Sequence, residues 1–141
     1  MAVSRLGRLK AKGYPVESGP LSTEISYDGK TTLPGSMSNS EFEKIAAAPQ
    51  ADTVIVDVRS PSEWTKTGIV PGAITIPIDT MHRRWSEVPK NKTVVVHCAA
   101  GNRALQVYRL LKDKGYDDVR WVDGKLAKVN KDVLKKGIYG N

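Results

Sequence analysis

Two runs of β-branched residues constrain the fold of this chain more than any other feature of its sequence. The first run covers residues 54–58 and the second covers residues 93–97, and both are apolar enough to form buried strands. Each run is followed by a segment with the start signals of a helix. Strands that alternate with helices predict an α/β fold with a mainly parallel central sheet of about five strands, flanked by helices. In such sheets, ligands bind at the carboxyl ends of the strands.

Shorter signals predict the remaining elements. We expect strands at residues 73–77 and 119–122, and an edge strand at 21–27 followed by a turn at Asp28-Gly29. Two segments have the spacing of a capping box, Ser40 to Glu43 and Ser60 to Glu63, and predict helices after them. Further helices are predicted at 81–87, from the single cysteine to about residue 114, and from residue 124 to near residue 137.

Composition limits the class of protein. The 141 residues carry a net charge of +7, with basic residues concentrated near the start and in residues 125–136. These basic residues lack interleaved aromatics, so we expect a solvated surface that attracts small anions and no nucleic-acid partner. No stretch is long and apolar enough to span a membrane.

The N-terminal segment differs from the rest. Residues 1–36 are rich in glycine and proline, and we expect a partly disordered extension there, with one folded domain over residues 37–141. No apolar core follows the first basic residues, so no signal peptide is visible. We expect a cytoplasmic protein, with the periplasm open if a signal peptide has been removed. The sequence leaves the oligomeric state open.

The single cysteine, Cys98, lies where a predicted strand turns into a predicted helix. Unpaired backbone N–H groups and the positive end of a helix favour a thiolate there. Small residues let these amides converge on one point, as in an anion-binding nest. A cysteine that only fills the core would need none of these features. We therefore predict Cys98 as a nucleophile, with the following loop binding an anion: Ala99, Ala100, Gly101, Asn102, Arg103 and Ala104.

Three segments, taken together, resemble the motifs of rhodaneses, a family of sulfurtransferase domains. Residues 98–104 resemble the active-site loop, residues 57–64 resemble the segment DVR-x-x-x-E-[FWY], and residues 68–77 resemble G-H-I-P-G-A-x-N-I-P. The resemblance implies a rhodanese-like fold and a thiosulfate sulfurtransferase. A small anionic donor such as thiosulfate would pass a sulfur to Cys98, and the resulting persulfide would pass it to cyanide or a thiol. That double displacement requires neither a metal nor an organic cofactor.

The sequence departs from the family pattern at four positions. Ile69 stands where histidine is usual, Thr75 where asparagine is usual, and Lys125 replaces the second glycine of a Gly-Gly pair. We expect these three changes to affect packing and turn geometry. Ala99 stands where many members have arginine or lysine, which removes a cation that could help to bind thiosulfate.

The charged residues near the loop are expected to have mainly structural roles. Asp57, Arg59 and Glu63 are predicted to shape the rim of the site, with an ion pair between Arg59 and Glu63. Arg103 would either face the anionic oxygens of the donor or turn back to brace the loop, and we favour bracing. His97 is expected to point away from the thiol and to lie in or near the core.

Two other classes of function remain open from the sequence. Cysteine phosphatases and arsenate reductases also have a cysteine and an arginine around an anion-binding loop, but with five residues between them, where this chain has four. A loop of this size suits one sulfur atom better than a tetrahedral oxyanion. The chain could also be a non-catalytic module that carries sulfur or binds a partner.

Overall fold

The computed structural model describes residues 24–25 and 31–137, and the chain divides into two units between Ser36 and Met37. In the first unit, β1 (Glu24–Ile25) pairs antiparallel with β2 (Thr31–Thr32). These strands form a two-stranded sheet of their own, which includes residues 24–25 of the predicted edge strand. The predicted turn at Asp28-Gly29 and the start of the extension lie outside the described residues.

The central sheet has five strands, as the sequence predicts. In chain order they are β3 (Ser36–Met37), β4 (Thr53–Asp57), β5 (Ile74–Thr75), β6 (Thr93–His97) and β7 (Val119–Val122). Their spatial order is β3-β7-β6-β4-β5, and the pairs β7-β6, β6-β4 and β4-β5 are all parallel. The register places Asp57 beside His97, so β4 and β6 end at the same edge of the sheet.

The part of the chain that the structure describes forms four α-helices: α1 (Asn39–Ala47), α2 (Pro61–Thr67), α3 (Ile78–Arg84) and α4 (Asn102–Asp113). The capping box from Ser60 to Glu63 is confirmed at the start of α2. The first helix starts earlier than predicted, because its capping box is formed by Ser38 and Glu41. The third helix also starts earlier, and residues 85–87 continue it as a 3-10 turn.

The predicted final helix is wrong. Residues 126–128 and 131–133 form two separate 3-10 turns. Three side chains of this segment, Leu126, Val129 and Val133, are nevertheless buried in the core. After the turns the chain extends, and Lys135 forms an antiparallel bridge with Ile69.

The core lies on both faces of β6. Successive side chains of a strand point to opposite faces, and Val94, Val95 and Val96 are all fully buried. Val95 belongs to the apolar cluster that includes Phe42 of α1, whereas α4 packs on β6 and β7. Within the described residues, no helix has the length and apolar character needed to cross a membrane.

Candidate active site

Cys98 directly follows β6 at the carboxyl edge of the sheet and is only 3% exposed. Its sulfur accepts hydrogen bonds from the backbone amides of Gly101, at 3.1 Å, and Ala104, at 3.3 Å. Backbone amides held in this way stabilise negative charge on the sulfur or on an atom attached to it. Two of the six residues predicted to bind an anion, Gly101 and Ala104, thus direct their backbone amides at the sulfur.

The loop takes this shape because of Gly101, which precedes the first residue of α4. Its φ of +99° lies in the left-handed region that glycine adopts without steric cost. Its carbonyl accepts the hydrogen bond from Leu105 that opens the helix. The first turn of α4 thereby directs the amide of Ala104 at the sulfur. On the other side of the loop, the carbonyl of Ala99 accepts a hydrogen bond of 2.8 Å from Leu126.

Arg103 turns back and braces the loop. Its guanidinium donates two hydrogen bonds to the carboxylate of Glu63, at 2.7 and 3.0 Å. These bonds outweigh partial burial and, together with the bonds from Ser60, lower the pKa of Glu63 to about 2. The same pairing raises the pKa of Arg103 above its ordinary value. Since Glu63 also caps α2, this pair connects the loop to the start of that helix.

The predicted ion pair between Arg59 and Glu63 is wrong. Arg59 instead pairs with Asp57, with its Nη2 2.7 Å from Oδ2, and both side chains are buried. The remaining donors of Arg59 bind Thr67 Oγ1 at 2.7 Å and the carbonyl of Gly68 at 2.8 Å. Residues four apart face each other only within a helix, and Arg59 precedes the first turn of α2, so this spacing does not pair its side chain with that of Glu63.

The carboxylate of Asp57 remains charged in spite of its burial. Burial acts to raise its pKa, but the His97 ring and the hydrogen bonds from Arg59 act more strongly, so the pKa lies below the ordinary value. Besides the guanidinium, the backbone amide of Arg59 also donates to Asp57, at 3.1 Å. The Asp57–Arg59 pair thus ties the end of β4 to the end of α2.

His97 lies behind the loop in the core. It is fully buried, its ring centre is 4.8 Å from that of Phe42, and Nε2 is 3.5 Å from Asp57 Oδ2. Burial lowers the pKa of His97, Asp57 opposes that effect, and Arg59 adds to it. This placement matches the prediction of a core histidine.

A cavity of about 560 Å³ opens beside the loop at Ala99. Leu126, Ala127 and Leu134 supply apolar surface, and three lysines line it, Lys66, Lys131 and Lys136. None of these lysines was predicted from the sequence as a site residue. They come from the end of α2 and from the C-terminal segment, so no local motif connects them with Cys98.

The other residues singled out from the sequence lie in structural positions. Ile69 is buried and pairs with Lys135, and Trp64 and Trp121 are buried as well. The Trp85 ring contacts the Tyr116 ring edge-on, with centres 6.4 Å apart. Among the described residues, no group of three or more histidine, cysteine, aspartate or glutamate side chains is arranged to hold a metal ion.

Comparison with known proteins gives the same assignment. The model of the rhodanese-like domain matches residues 38–132. A sulfurtransferase of Allochromatium vinosum is 36% identical over 72 residues, which cover 51% of this chain and 66% of that protein. The rhodanese domain-containing protein CG4456 of Drosophila melanogaster is 27% identical, over 55% of this chain and 83% of its own length. The crystal structure of a rhodanese-like domain protein from Staphylococcus aureus superposes with a TM-score of 0.63 and 28% identity, covering 72% of this chain and 96% of that one. The fold, the cysteine loop and these similarities show that the chain belongs to the family of rhodanese-like domains.

Proposed function

We propose that this chain is a sulfurtransferase that moves a sulfane sulfur from a donor such as thiosulfate to a thiol or cyanide through a persulfide on Cys98. The observation that carries the proposal is the pair of backbone amides, from Gly101 and Ala104, that donate to the sulfur of Cys98. The relatedness to a sulfurtransferase supports the same class of reaction.

The reaction has two displacements. The thiolate of Cys98 attacks the outer sulfur of thiosulfate, the sulfur–sulfur bond of the donor breaks, and sulfite leaves with the bonding electrons. The anionic terminal sulfur of the new persulfide lies beside the loop amides, which stabilise it. An acceptor thiolate or cyanide then attacks that sulfur, and the bond to Cys98 breaks to restore the thiolate. The chain holds one cysteine, so no second thiol of its own can displace the sulfur as an intrachain disulfide forms.

The position of Arg103 favours sulfur transfer over phosphate chemistry. An enzyme that binds a phosphate or arsenate oxyanion needs a guanidinium facing the anion. Here the guanidinium is engaged by Glu63 at 2.7 Å, and only four residues separate Cys98 from Arg103. The loop therefore supports a site for one sulfur atom.

Intact-mass measurement tests the proposal. Incubation with thiosulfate should add the mass of one sulfur atom, and cyanide should remove it with formation of thiocyanate. The Cys98→Ser protein should show neither change. Turnover of an aryl phosphate by the wild type, without any gain of sulfur, would contradict the proposal in favour of a phosphatase. A gain of sulfur that no acceptor removes would indicate a carrier rather than an enzyme.

A further inference from the structure

The loop around Cys98 carries no cation that is free to bind a substrate. Its one charged residue, Arg103, is held by Glu63 through two hydrogen bonds. Ala99 supplies no charge at the position next to the nucleophile. Any cation that binds an anionic substrate must therefore come from outside the loop.

The cavity beside Ala99 provides such cations. Lys66, Lys131 and Lys136 line it, and none of the three forms a salt bridge with a described residue. The two other charged residues that line the cavity, Arg59 and Glu63, are each neutralised by a partner. The uncompensated charge around the cavity is therefore positive.

The backbone that carries two of these lysines is tied to the site. Leu126 donates to the carbonyl of Ala99 at 2.8 Å, just before the segment with Lys131. Lys135, which precedes Lys136, exchanges two hydrogen bonds with Ile69, at 2.8 and 3.0 Å. The approach at Gly68 is so close that an added Cβ would lie 2.6 Å from the carbonyl carbon of Lys135. The backbone that carries Lys131 and Lys136 is thus held beside the loop before any ligand arrives.

We propose that this cavity binds an organic thiol with a largely aliphatic arm and an anionic end, phosphate or carboxylate. Lys66, Lys131 and Lys136 are the residues that select it. A volume of about 560 Å³ lies within the range of about 300–1,000 Å³ typical of sites for organic ligands. A small inorganic anion would leave most of it empty, and the apolar residues Leu126 and Leu134 suit an aliphatic arm.

The inference rests on the proposed function, because the bound thiol serves as the sulfur acceptor. Its thiolate attacks the terminal sulfur of the Cys98 persulfide, and a new sulfur–sulfur bond forms as the old one breaks. Cys98 leaves as a thiolate, and the acceptor leaves as a persulfide. The step needs no oxidant or reductant.

Phosphopantetheine and pantetheine test the inference, because they differ only in a phosphate group. Binding is measured by calorimetry with the Cys98→Ser protein, which has no thiol to react. We expect phosphopantetheine to bind about tenfold more tightly than pantetheine at low salt, with the difference shrinking as salt is added. Glutathione, compared with its diethyl ester, tests carboxylates as the anionic groups.

Substitutions in the same background locate the site. Adding Lys66→Gln, Lys131→Gln and Lys136→Gln together should abolish the preference for the phosphorylated thiol. Lys128→Gln is the matched control, because Lys128 is exposed on the same segment and does not line the cavity. This control should keep the full preference.

The outcomes separate the two proposals. Equal binding of the charged and neutral thiols in both pairs, or a preference that survives the triple substitution, would overturn the inference. A failure of the proposed function would give another result. The wild type would gain no sulfur from thiosulfate, but the charge-selective binding of thiols would persist and would support the binding site in the cavity.

Discussion

Replacing Glu63 with glutamine removes the charge that holds Arg103 and leaves the helix cap in place. Glutamine serves in a capping box as glutamate does, so the start of α2 should survive the substitution. The change therefore isolates the pair whose two hydrogen bonds, of 2.7 and 3.0 Å, brace the loop around Cys98.

The size of the effect follows from the pKa of Glu63. A shift from 4.5 to about 2 corresponds to roughly 3.4 kcal/mol if the full shift stabilises the folded state. Both side chains are 31% exposed, and solvent screening reduces the contribution of exposed pairs to about 1 kcal/mol or less. This pair is only partly exposed, so we expect a loss between these two figures: Glu63→Gln should lower the free energy of unfolding by about 1–2 kcal/mol at pH 7.

The loss should depend on pH in a defined direction. The pKa of Glu63 is lower in the folded protein than in the unfolded chain, so its stabilisation is complete above about pH 4.5. It declines as the pH falls below 4.5 and through the folded pKa of about 2, below which the carboxylate is protonated in both states. The difference between wild type and Glu63→Gln should therefore shrink across this window.

Urea unfolding followed by tryptophan fluorescence measures the difference at pH 7 and again near pH 3. Glu41→Gln is the matched control, since Glu41 holds the same position in the capping box of α1 and its ion pair is longer, at 3.4 Å. It should change stability much less. If Glu63→Gln matched the wild type at pH 7, or if the difference were the same at both pH values, the argument from the Arg103 pair would be refuted.

Three further changes test other parts of the molecule. Gly101→Ala should cost about 1–2 kcal/mol, because alanine resists a φ of +99°, and intact mass should show slower sulfur loading of Cys98; unchanged loading would argue against the loop geometry. Arg59→Met should cost about 3–5 kcal/mol in urea unfolding, because it leaves the buried carboxylate of Asp57 without its partner; a loss below about 1 kcal/mol would contradict that reasoning. Deleting residues 1–32 should preserve the reaction with thiosulfate, because the family match starts at residue 38; an inactive or unfolded product would show that the extension is part of the domain.

Local signals were sufficient for four strands of the central sheet and for the loop after Cys98, but not for β3 (Ser36–Met37), which was not predicted. The runs at 54–58 and 93–97 specify buried strands without reference to the rest of the chain, and both formed with ends shifted by at most one residue. The loop could also be predicted, because its small residues and the helix after it are contiguous with Cys98. The final helix was not predicted correctly, since residues 126–128 and 131–133 form two separate 3-10 turns.

The partners of the charged groups were decided only by the tertiary structure. The spacing along the chain predicted an ion pair between Arg59 and Glu63. In the structure, Glu63 instead pairs with Arg103, forty positions away, and Arg59 pairs with Asp57. The lysines of the cavity came together in the same way, from α2 and from a C-terminal segment that a bridge to Ile69 holds in place. The sequence was enough to predict the loop around Cys98, because contiguous backbone forms it. Charge partners and the cavity beside Ala99 depend on which distant segments the folded core brings into contact, and no local pattern encodes that.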